Sequence, residues 1–123
     1  MGHRLHSAKT YKVEYGTNSS FNWAQDHINP IIELLAEGDV FTEGEDIEYA
    51  NTLQAHRNTL IANVEKIKTP DENWPNQEEL EEQIEDMLND DTCDIDRDYL
   101  YKRLKATIME SDADCDYVHF VWF

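Results

Sequence analysis

The sequence predicts an α+β fold: a small two- or three-stranded sheet formed by N- and C-terminal strands, covered by three to four helices. Three observations predict it. Tyr11, Val13 and Tyr15 alternate with Lys12 and Glu14, the period of two that turns one face of a strand to a core. Asp116–Phe123 is a second short run rich in aromatic and β-branched residues. Between them, apolar residues recur three and four apart, the spacing of a helix. The 123 residues suit a single domain over 1–123, and 40% hydrophobic content is enough for a core.

The elements follow in order. Residues 1–8 carry no pattern and read as a flexible tail. Lys9–Tyr15 is the first strand, and Gly16-Thr17-Asn18-Ser19-Ser20 is a turn. A helix lies within Asn22–Glu37, with Ile28, Ile31, Ile32, Leu34 and Leu35 inward. Pro30 either kinks this helix, or Asn29 caps a shorter one with Pro30 at its first position. Gly38 is a natural stop. Val40-Phe41 and Ile47–Tyr49 are weakly patterned as a hairpin through Glu43-Gly44-Glu45-Asp46.

From Asn51 to Lys68, Leu53, Leu60, Ile61, Val64 and Ile67 fall at helical spacing, and Thr69-Pro70-Asp71 ends that helix. Asn76 opens the third helix, where Asn76 and Glu79 fit a capping box and Leu80, Ile84, Met87 and Leu88 form the inward stripe. The fourth covers Ile95–Glu110, with Ile95, Tyr99, Leu100, Leu104 and Ile108 inward. Its acids (Asp94, Asp96, Asp98) come first and its bases (Lys102, Arg103, Lys105) later, which suits the helix dipole. Asp116–Phe123 is apolar on both faces and so reads as a covered strand. Its aromatics, with Tyr11 and Tyr15, read as core; the alternative is an apolar strand offering an edge for β-augmentation or a dimer contact.

Charge is the distinguishing feature. Ten Lys and Arg stand against 27 Asp and Glu, a net −17. Residues 1–70 hold ten acids and six bases, a net −4; the rest hold 17 acids and four bases, a net −13. From Thr69 to Asp96 there is no Lys, Arg or His among 28 residues, and twelve are acids. Like charges at i, i+4, such as Glu78–Glu82 and Glu82–Asp86, each cost a helix roughly 0.2–0.5 kcal/mol. A lysine at alternate positions would relieve this and keep the protein soluble.

The same balance excludes function classes. Nucleic-acid readers need clustered Lys and Arg, and an anionic membrane surface attracts bases, so neither is an expected partner. No stretch approaches the roughly 20 apolar residues of a membrane span. The start, Met1-Gly2-His3-Arg4-Leu5-His6-Ser7, lacks the apolar run of a secretory signal and misplaces the serine of a myristoylation motif. Cys93 and Cys115 both sit among acids, which disfavours a nucleophilic thiolate. Two cysteines without an export signal read as reduced thiols of a cytoplasmic protein, a Cys93–Cys115 bridge being the alternative. Asp94–Tyr99 and Asp112–Tyr117 open like calcium loops, but each has Tyr where the loop needs its glycine, and Lys105 and Phe123 stand where it needs glutamate. No metal or other cofactor is expected. There is no His-x-x-x-His or Cys-x-x-Cys pair, no glycine-rich phosphate loop and no nucleophile elbow, so an enzyme is not expected either.

What remains is a binding role. Glu78, Glu79, Glu82, Glu85, Asp86, Asp90 and Asp91 are the candidate contact residues. Their density along a helix approaches that of a single nucleic-acid strand, which carries a charge about every 3.4 Å. The expected partner is a basic protein, such as a nucleic-acid-binding protein or a nuclease, whose groove the acids would occupy as a nucleic-acid mimic. The alternative is a scaffold module in which the acids serve solubility and contact runs through Trp74, Trp122 or Phe123.

Overall fold

The computed structural model describes residues 5–8, 15–18, 25–42, 52–90, 95–111 and 113–122. It is α+β, with four helices and one antiparallel sheet. The strands are β1 (Leu5–Ala8), β2 (Tyr15–Asn18), β3 (Val40–Thr42), β4 (Thr52–His56) and β5 (Tyr117–Trp122). The helices are α1 (Gln25–Leu35), α2 (Arg57–Lys68), α3 (Gln77–Leu88) and α4 (Arg97–Met109).

The sheet order is β2-β1-β5-β4-β3. The three strands drawn from the chain ends are present as β2-β1-β5, and the β3–β4 hairpin widens the sheet to five. β5 pairs antiparallel with β1 on one side (Ser7 opposite Phe120) and with β4 on the other (Leu53 opposite Phe120). It therefore has no open edge, and the β-augmentation reading of this strand is withdrawn.

Several local expectations are corrected. Residues 5–8, expected in a flexible tail, form β1, and Gly16–Asn18, expected in a turn, belong to β2. The strand expected over Lys9–Tyr15 lies, apart from Tyr15, outside the described residues, as does the expected Ile47–Tyr49 arm. The partner of β3 is Thr52–His56, which was expected at the start of a helix. Leu53 stands seven residues before Leu60, two helical turns, so spacing alone placed both on one helix. The alternation of buried Leu53 and Ala55 with half-buried Gln54 and His56 is the strand signature that decides it.

α1 runs unbroken through Pro30, with Asn29 fully buried in its body rather than capping it. It ends in a Schellman geometry: Glu37 N–H donates to the Leu34 carbonyl at 3.1 Å and Gly38 N–H to the Glu33 carbonyl at 3.0 Å. The left-handed position falls on Glu37 (φ 56°), and Gly38 follows at φ 80°. Asn63, itself buried, secures this end by donating to the Leu35 carbonyl at 2.8 Å and to Glu37 Oε2 at 3.2 Å.

One core joins the helices to one face of the sheet. Ile28, Ile31, Ile32 and Leu35 of α1 meet Leu60, Val64 and Ile67 of α2, Leu80, Ile84 and Met87 of α3, and Leu100, Leu104 and Ile108 of α4. Leu53, Ala55, Val118 and Phe120 supply the sheet side. Each of these side chains is at most 2% exposed, and burying one larger than alanine contributes roughly 1.5–3 kcal/mol. Leu88, expected in the inward stripe of α3, is 49% exposed. Trp74, in the α2–α3 connection, is buried in the same core, with the Lys66 ammonium 5.2 Å from its ring centroid.

Candidate docking surface on the third helix

The core face of α3 is set by Gln77, Leu80, Ile84 and Met87, all buried. At 3.6 residues per turn, Glu78, Glu79, Glu82, Glu85 and Asp86 occupy an arc of about 120° on the opposite side. All five are exposed. Their positions span about 12 Å of helix axis at 1.5 Å per residue, or about one carboxylate every 3 Å. Acids and solvent-facing positions coincide because every inward position of α3 is taken by an uncharged side chain.

No cation among the described residues answers these five. Arg97 donates two hydrogen bonds to Glu81, at 2.6 and 2.7 Å, and Lys102 pairs with Asp98 at 3.0 Å. Lys105 pairs with Glu65, Arg57 donates to Ser111, and Lys66 donates to Asn63. Lys68 lies over the Tyr101 ring and Arg103 over Tyr99. Glu81 is thus separated from its neighbours: it turns back toward α4, where the Arg97 hydrogen bonds hold its carboxyl below the usual glutamate range against the opposing effect of burial, with a lesser contribution from Gln77.

The two remaining candidates part from the five. Asp90 is half-buried and accepts a hydrogen bond from His27 Nε2 at 2.7 Å, which ties the end of α3 to α1. It belongs to the helix packing more than to the outer ridge. Asp91 lies outside the described residues. The capping box expected at the start of α3 does not form: the Asn76 side chain makes no cap and donates instead to the Leu34 carbonyl of α1 at 3.1 Å.

That contact opens onto a groove of about 420 Å³ between the end of α1 and the start of α3. Glu33, Glu37 and Glu79 line it, together with Asn76 and Gln83, and no lysine or arginine does. The last turn of α1 holds no basic residue, and its end carbonyls are satisfied by the neutral amides of Asn63 and Asn76, so no cation of this helix offsets the acids there. The groove carries the acidic surface from α3 toward α1. Sequence reasoning missed Glu33 and Glu37 because they are isolated acids in α1 and in the turn that ends it, and only the α1–α3 packing brings them to Glu79.

Other chemistry is sparse. Cys115 is a free, half-buried thiol with its sulfur 3.8 Å from His119 Nε2. Among the described residues no three His, Cys, Asp or Glu side chains converge as a metal ligand set. No described helix is long and apolar enough to cross a membrane. Trp74, a contact residue in the scaffold alternative, is only 8% exposed and is unavailable to a partner. No protein-family model matches this chain, and no curated protein or solved structure matches it.

Proposed function

We propose that this chain is a non-enzymatic binding protein of the cytoplasm that docks its acidic α3 face into the basic groove of a nucleic-acid-binding protein or nuclease and inhibits it. The observation that carries this reading is the outward ridge of Glu78, Glu79, Glu82, Glu85 and Asp86, unanswered by any described cation. A solvated helix face gains from interspersed lysines, and this one has none. The spacing along the ridge is close to that of phosphates on a single strand, so a groove shaped for nucleic acid meets a comparable charge density. Association steered by such a field is fast at low salt and screened at high salt.

The test is a binding experiment with basic nucleases and nucleic-acid-binding proteins at about 50 and about 500 mM salt, with single-stranded nucleic acid as competitor. Affinity is expected to fall at least tenfold at the higher salt, to fall with competitor, and to be lost with Glu82→Lys combined with Glu85→Lys. Binding that is indifferent to salt, to competitor and to the double charge reversal rejects the mimic.

A further inference from the structure

We draw no further inference here: the strongest candidate, the groove between the end of α1 and the start of α3, is a cluster of acidic side chains (Glu33, Glu37 and Glu79) that belongs to the docking surface already described, and nothing in the structure shows what fills it.

Discussion

Arg97 stands at the first turn of α4 and reaches two other helices. Its Nε donates to the Ile67 carbonyl near the end of α2 at 2.5 Å, while its two terminal nitrogens grip Glu81 of α3. The fork geometry of a guanidinium serves both acceptors at once, which a lysine would not. Each side chain of the pair is about a third exposed (33% and 38%), so water screens part of the attraction. Arg97→Ala is expected to cost about 1–2 kcal/mol in a urea titration at neutral pH. Because the folded state depresses the Glu81 carboxyl, its share of stability is complete above about pH 4.5 and is lost as the pH falls through the depressed value. The variant should therefore lose less stability than the parent on acidification below that pH, and equal losses would refute the assignment. In the sequence Arg97 is visible only as the end of the cation-free run. Its pairing with Glu81 depends on how α3 and α4 pack, which no local pattern encodes. Glu37 is a similar case: Gly38 announces the helix end, yet the left-handed position falls one residue earlier, on a side chain secured by Asn63.

At the scale of elements, two residues of the same capping class behave differently. Asp96 caps α4, its carboxylate accepting from the Tyr99 N–H at 2.7 Å. Asn76 occupies the corresponding place before α3 and gives its amide to Leu34 of α1. The first follows the local rule; in the second a tertiary contact displaces it. Asp96→Ala should lower stability by about 1 kcal/mol, with Asp96→Asn retaining most of it, measured by thermal melts. Equal melting of all three proteins would show that the cap contributes nothing. The four helices were legible because each repeats its apolar residues over about two turns or more. The strands were less so. β1 and β3 have four and three residues, too few to display alternation, and β4 shares its leucine spacing with the helix it runs into.

Across the whole molecule, charge is unevenly matched. The described cations serve contacts away from the outer ridge of α3, Arg97 reaching only Glu81 on its flank, and the ridge repels itself in the folded state more than in an extended chain. Melting temperature should therefore rise between about 10 mM and about 500 mM salt, and rise less in Glu82→Lys with Glu85→Lys. A melting temperature flat in salt would mean that the ridge is already neutralised. The ridge itself was readable from residue types and helical phase, because an exposed helix face needs nothing more. The turn of Glu81 toward Arg97, the pairing of Asp90 with His27 and the entry of Glu33 and Glu37 were not, since each needs the relative placement of two helices. The order β2-β1-β5-β4-β3 has a consequence for synthesis on the ribosome. Its middle strand is the last to be made. The β1–β2 and β3–β4 hairpins emerge first and have no common partner until β5 follows, so the nascent chain carries two unjoined ladders while the residues between His56 and Tyr117 are made.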